Sequence, residues 1–471
     1  MNATPRRLRT DLPFRRVALV LSGGGALGAY EVGVFRALEH AGLEPRIVLG
    51  VSVGAINGLI WVANGFGSDA LRRTWSQLRP PSIGIRWETR AIRALGAFLL
   101  ALAALEALLT LGELPQLGVT ALLARSASAL APAWNEILLD TLAWLLVAAL
   151  GAALLLRSGR FEDALVKITP AADPERVQRV LGRWLIVLAL LFPIPLLFRF
   201  AWPQRFHLFV LLLGTLVWLV SRAMREDRAL RRFALRLLPE TGGRGLWRTG
   251  ARRRLIEELL PPAARERLAR SDVRLILTAC EIESGRIHYF VNWRDPAPEF
   301  RARIERSLGV VRETRGVGDL IEAALASSAV PVVFEPVKIG ALDFIDAGVF
   351  SNQPLHAVIA DGADALLMVL VSPSGCPPRL SAEPNLIEIA ARLSQIANWR
   401  DLQTEMQRLP PGWTREGDPA RVCVVEPTGT LPGSLLGIDP ATAAVLTECG
   451  ERDAWDALER AGWLAADPRV V

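Results

Sequence analysis

Four apolar stretches, Ala94–Leu111, Ile137–Leu156, Trp184–Phe198 and Phe206–Val220, interrupt a chain that on either side alternates short strands with amphipathic helices. A bilayer core asks for about 20 apolar residues per helical crossing, so the second stretch qualifies outright and the first nearly does. The last two are short, and they read equally as buried core helices or a re-entrant hairpin. The expectation is a helical transmembrane insertion over residues 89–245 with two to four crossings. Arginines crowd Arg72 to Arg93 and Arg222 to Arg236 at its flanks, as cytoplasmic edges do. Between the second and third stretches lie Arg157, Arg160, Lys167, Arg176, Arg179 and Arg183, whereas the loop between the first and second holds only Arg125. That alternation predicts an even number of crossings with both flanking parts in the cytoplasm. Glu106 and Asp140 are the charges inside the apolar segments, and no role follows for them from sequence.

The flanking parts share one grammar. VALVLS reads as a buried strand, GGG as a turn, AYEVGVFRALEHAG as an amphipathic helix stopped by Gly42, and RIVLGVSVG as a second strand. After Leu246 come an amphipathic helix, WRTGARRRLIEELLPP, and two strands joined by a Glu-Ser-Gly turn. ADALLMVLVSP then has the continuous apolar run of a strand buried on both faces. The fold class expected is α/β: residues 1–88 and 246–471 form a three-layer α/β/α sandwich around a mostly parallel sheet, interrupted by the insertion.

Composition removes several function classes. At 51% hydrophobic and 22% charged residues the chain is neither disordered nor fibrous. Its four cysteines, Cys280, Cys376, Cys423 and Cys449, are scattered with no CxxC, which excludes a disulfide scaffold and leaves no recognisable metal site. The net charge of +6 is almost all arginine, with only Lys167 and Lys338 as lysines, and its place beside the apolar stretches argues against a nucleic-acid partner. The basic N-terminus is followed by an apolar run, Val17 to Leu21, that stops at three glycines, too short for the core of a cleaved signal.

Three motifs carry chemistry. Gly23-Gly24-Gly25-Ala26-Leu27-Gly28 follows a strand and opens a helix, so its N–H groups point toward developing negative charge. The same letters fit the GxGxxG dinucleotide fingerprint, but the second strand ends in Ser52 where that fingerprint needs a carboxylate. Gly50-Val51-Ser52-Val53-Gly54 is a GxSxG between strand and helix, the sequence form of a nucleophile elbow. An oxyanion formed at Ser52 would meet the backbone N–H groups of Val53, Gly23, Gly24 and Gly25. Asp346-Ala347-Gly348 follows a strand, and Asp343 is the rival carboxylate. A triad would draw its imidazole from His288 or His356, because His207 lies in an apolar segment and His40 in a helix tail.

Taken together, SGGGALGAYEVGV, GVSVGAING and FIDAGVFSNQP, with ASSAVPVVFEP at Ala326 to Pro336, resemble the patatin-like phospholipase family in residue types and order. The resemblance covers roughly residues 15–80 and 246–460. It implies a serine esterase working through a Ser52–Asp346 dyad without histidine, with Gly28, Gly50, Gly54 and Gly348 as motif glycines. No metal or organic cofactor is implied. The partners implied are a lipid ester, phospholipid or lysophospholipid, and the bilayer itself, with the oligomeric state left open. Two departures stand out: Leu27 replaces a basic residue common in the family, and the family's DGG or DGA reads DAG here. An inactive membrane scaffold, or a dinucleotide-binding membrane oxidoreductase, are the alternatives. The arginine bias points to a bacterial origin, and so to a multi-pass inner-membrane protein with its catalytic domain facing the cytoplasm.

Overall fold

The computed structural model describes residues 7–85, most of 93–104, 131–157, 244–245, 247–292, 296, 298–375, 386–414 and 418–465. Contacts divide the chain into two compact units, residues 1–85 with 240–471, and residues 86–239. These bounds lie close to the boundaries read from sequence at 88 and 245.

The first unit is built on one nine-stranded sheet. Its main path runs β5 (Val310–Glu313), β4 (Ile287–Val291), β3 (Arg274–Glu281), β2 (Ile47–Val51), β1 (Val17–Leu21), β8 (Ala365–Val369) and β9 (Val422–Val425), with β6 (Val337–Ile339) and β7 (Leu342–Asp346) attached through β3. Neighbours along β9-β8-β1-β2-β3 and the β4–β5 pair are parallel, whereas β3–β4, β3–β7 and β6–β7 are antiparallel.

The central strands are apolar at every position because both faces are covered. In β1, Leu19 and Leu21 enter a core roofed by the helices Ala29–Ala41, Val53–Ala63, Val317–Ser327 and Pro440–Arg460. Ala18 and Val20 enter a second core, closed by the helices Pro298–Arg306, Leu355–Ala360 and Leu386–Gln407. This alternation across a period of two yields the α/β/α layering. The first core is fixed by a stack of Phe35 on Trp61, ring centroids 4.4 Å apart and nearly coplanar at 5°, both fully buried.

In the second unit, helices around residues 93–104 and at Ala131–Leu156 cross at a pair of glycines. A Cβ on Gly96 would stand 2.8 Å from the carbonyl oxygen of Gly151, and one on Gly151 equally close to that of Gly96, so this approach excludes side chains. Leu145, Leu146, Leu150 and Leu156 are exposed. Ala131–Leu156 contains the second apolar stretch, with side chains described from residue 144; among the described residues no helix is long and apolar enough to cross a membrane. The third and fourth stretches, Glu106 and the side chain of Asp140 lie outside the described residues, as does Cys376.

Truncating the stacked pair tests the weight of the first core: Phe35→Ala is expected to cost about 3–5 kcal/mol of stability, read as a lowered denaturant midpoint with unchanged slope.

Candidate active site

The register along β3 brings the motifs together. Val51 at the end of β2 pairs with Thr278, and Asp346 at the end of β7 pairs with the next residue, Ala279. Because β4 holds the other side of β3 at Ala279 and Cys280, β7 lies on the same side as β2 and runs toward it. The two strands therefore meet end to end, and Ser52 follows Val51 into the gap beside Asp346.

Ser52 has φ 55° and ψ −123°, a conformation costly for a residue with a side chain and characteristic of a nucleophile on a sharp strand-to-helix turn. The flanking glycines are there for space. A Cβ on Gly50 would lie 2.5 Å from the Ala55 Cα, and one on Gly54 would lie 2.7 Å from the Leu21 carbonyl oxygen. The Ser52 N–H donates to the Ser327 hydroxyl at 2.8 Å, which pins the strained residue to the end of the helix Val317–Ser327.

Asp346 is buried, and its carboxylate accepts from the Gly348 N–H at 2.8 Å and lies within hydrogen-bond reach of the Ser52 hydroxyl. Burial pushes its pKa up to about 6, against the opposing pull of Ser52, the Gly348 N–H and the Arg252 guanidinium. The backbone N–H of Asp346 donates to the Ala329 carbonyl at 3.0 Å, so the residues just past Ser327 hold both partners.

The glycine loop lies alongside. Among the described residues nothing accepts from the N–H groups of Gly24, Gly25 and Val53, which stand at the two helix starts flanking the serine. Gly23 is placed otherwise than expected for an oxyanion donor: its N–H donates to Asn352 Oδ1 at 2.6 Å, and its carbonyl accepts from Asn352 Nδ2 at 3.2 Å. The expected donor set is thereby reduced to three. Gly28 packs against the elbow helix, and its carbonyl accepts from Asn57 Nδ2 at 3.0 Å. That amide also donates to Glu31 Oε2 at 2.8 Å, and burial lifts the Glu31 carboxyl to about 8, so it carries its proton at neutral pH.

The remaining candidates are engaged elsewhere. Asp343 is held by Arg244 at 2.8 Å. His288 Nε2 pairs with Glu281 at 3.0 Å while its Nδ1 accepts from Arg312 at 3.1 Å. His356 Nδ1 meets Glu405 at 2.8 Å, and its Nε2 faces Tyr289 and Ser307. His40 is exposed beside Glu451, and His207 lies outside the described residues. The Ala347 methyl is buried as part of the second core. Leu27 packs against the first core.

Ser52 opens onto an apolar pocket whose walls include Ile56, Ile60, Leu71, Trp75, Leu78, Leu255, Leu259 and Leu435. One cation lines it: Arg252, buried and pushed down to about 9 by loss of water. Among the described residues no group of three or more His, Cys, Asp or Glu is placed to hold a metal ion. Ser327, Asn352 and Arg252 were given no role from sequence. The first two lie within the quoted motif segments, and Arg252 sits in a basic helix that reads as a solvated face.

The lysophospholipase nte1 of Aspergillus terreus is 51% identical to this chain over 55 residues, 12% of this chain and 4% of that protein. The neuropathy target esterase sws of Drosophila sechellia is 39% identical over 64 residues, 14% of this chain and again 4% of the relative. These similarities therefore span a small part of much longer proteins. The solved structure of VipD from Legionella pneumophila aligns over 98% of this chain and 70% of its own at 12% identity, with a TM-score of 0.33, too low an overlap to bear on the fold. The patatin-like phospholipase profile matches residues 19–143 and 147–359, most of the chain, and with the glycine loop, elbow and aspartate strand gathered at one sheet edge, this protein belongs to the patatin-like phospholipase family.

Proposed function

We propose that this protein is a lipid acyl hydrolase that cleaves phospholipid or lysophospholipid esters through a Ser52–Asp346 dyad. The observation that carries this is the elbow serine, within hydrogen-bond reach of a buried carboxylate and open to a mostly apolar pocket. Ser52 Oγ attacks the ester carbonyl while its proton passes to Asp346. The N–H groups of Gly24, Gly25 and Val53 meet the oxygen that becomes negative. As the tetrahedral intermediate collapses, Asp346 returns the proton to the leaving alcohol. A water, deprotonated by the same carboxylate, then releases the acid from the acyl-serine. The apolar walls take the acyl chain, and the fixed dipoles act where water does not screen them. Neither His288 nor His356 takes part, because both ring nitrogens of each have other partners.

The likeness to the fungal lysophospholipase supports single-chain phospholipids as substrates. The apolar stretches of residues 89–245 and the exposed leucines of Ala131–Leu156 support membrane insertion of the second unit. Ser52 precedes and Asp346 follows that unit in sequence, yet both belong to the first, so the insertion leaves and re-enters on one side, with two or four crossings. The arginine distribution supports the cytoplasm as that side, and the arginine-for-lysine bias supports a bacterial inner membrane.

Two tests follow. Ser52→Ala and Asp346→Asn should each lower turnover of a soluble ester by at least about a thousandfold, and Ser52→Ala should abolish labelling by a fluorophosphonate, with thermal unfolding of both variants near wild type. Full turnover in either variant would sink the dyad. The general base must be ionised, so kcat/KM for an uncharged ester should rise with pH through about 6 and level off above it. An acid limb in the ordinary carboxylate range would remove burial of Asp346 as the determinant.

A further inference from the structure

Arg252 enters the first core from the helix Gly250–Leu259 with 4% of its surface exposed. Its Nη1 donates to the Ser328 carbonyl oxygen at 2.5 Å and to the Ser328 hydroxyl at 2.7 Å, and its guanidinium lies 3.7 Å from the centre of the Phe334 ring. These contacts fix the plane of the fork, and they leave half of it unused. Nε and Nη2 are buried with no hydrogen-bond partner among the described residues. Asp346 and Glu335 act on its charge through space, but the hydrogen bonds it makes all go to Ser328.

An unpaired buried cation costs several kcal/mol, and two unmade donors on it add to that. Anchoring the end of the helix Val317–Ser327 needs only one nitrogen of the group. The fork also faces the pocket into which Ser52 opens, and the two residues are linked through neighbours: Ser327 holds Ser52, and Ser328 holds Arg252. A planar pair of N–H donors in an apolar wall suits one ligand chemistry above others, a tetrahedral or planar oxyanion taken by two parallel hydrogen bonds.

We propose that Arg252 reads the phosphate of the lipid substrate, its Nε–H and Nη2–H binding phosphate oxygens while the ester carbonyl lies against Ser52. The inference rests on the lipid-hydrolase reading and names the residue that would select phospholipid over neutral ester. A phospholipid carries its phosphate only a few bonds from the ester carbonyl, which matches a fork held one residue along the chain from the group that pins the nucleophile. The carboxylate of a released fatty acid fits worse. Its charge lies on the oxygens of the carbon that Ser52 attacks, beside the Asp346 carboxylate, and like charges there repel.

The test compares two esters of one acyl chain, 1-myristoyl-lysophosphatidylglycerol and 1-myristoylglycerol, presented to the full chain in mixed micelles of a neutral detergent. The ratio of their kcat/KM values cancels any loss common to both substrates. Arg252→Gln should lower the ratio, phosphate over neutral, by about 10- to 100-fold, mainly through KM for the phosphate substrate, and Arg252→Lys should recover part of it. A ratio within about twofold of wild type in both variants overturns the proposal, because Arg252 then only supports the helix end. A measurement on the wild type stands even if both variants fail to fold: dodecyl phosphate should compete with 1-myristoylglycerol more strongly than laurate does. Stronger competition by laurate would assign the fork to the product carboxylate and defeat the phosphate reading. Failure of the underlying hydrolase reading has a different signature, no turnover of either ester by wild type or full turnover by Ser52→Ala.

Discussion

The proposed chemistry of this protein depends on the end-to-end meeting of β2 and β7 along one side of β3. One strand of the pair is parallel to β3 and the other antiparallel, so their carboxyl ends face each other across a single step of register, Thr278 to Ala279. Backbone hydrogen bonds to a common neighbour fix that step, and such a ladder cannot slip by one residue without turning every side chain to the opposite face. With both faces of the sheet covered, the gap between the strand ends is buried. Burial of Asp346 follows from this, and with it a carboxyl pKa raised to about 6.

A second constraint sits at the end of the helix Val317–Ser327. Three consecutive residues there each hold one part of the site: the Ser327 hydroxyl takes the Ser52 N–H, Ser328 takes Arg252, and the Ala329 carbonyl takes the Asp346 N–H. Strain at Ser52 is therefore carried by a rigid helix end on one side and by the two glycines that admit the turn on the other. Asn352 does the same for the glycine loop, gripping both backbone groups of Gly23, while the next two N–H groups have no acceptor among the described residues. The grip explains why three glycines stand in a row while only part of the run is free to meet an oxyanion.

Much of this was legible in the chain. The strand–turn–helix form around Ser52, the helix stopped at Gly42 and the doubly buried β8 were readable because each depends on periodicity and turn chemistry within a dozen residues. Asn352 was not, although it stands in the FSNQP stretch after the aspartate, because its partner lies 329 residues away. Arg252 was hidden for another reason. In GARRRLIEELL three successive arginines give the charge pattern of a wet helix face, and only packing shows that one of them turns inward over Phe334. The alanine of the DAG motif is a converse case: its methyl is unusual as a letter and unremarkable in place, because it is buried as part of the second core.

By itself the sequence determined the family and the α/β grammar of the two flanking parts, because these are written in local periodicity and in glycines that a short turn cannot do without. Only the tertiary structure decided which carboxylate reaches Ser52, which N–H groups remain free, and that a buried arginine faces the pocket with half its donors unused. Those are distances between residues hundreds of positions apart, set by strand register and by what the two cores exclude from water.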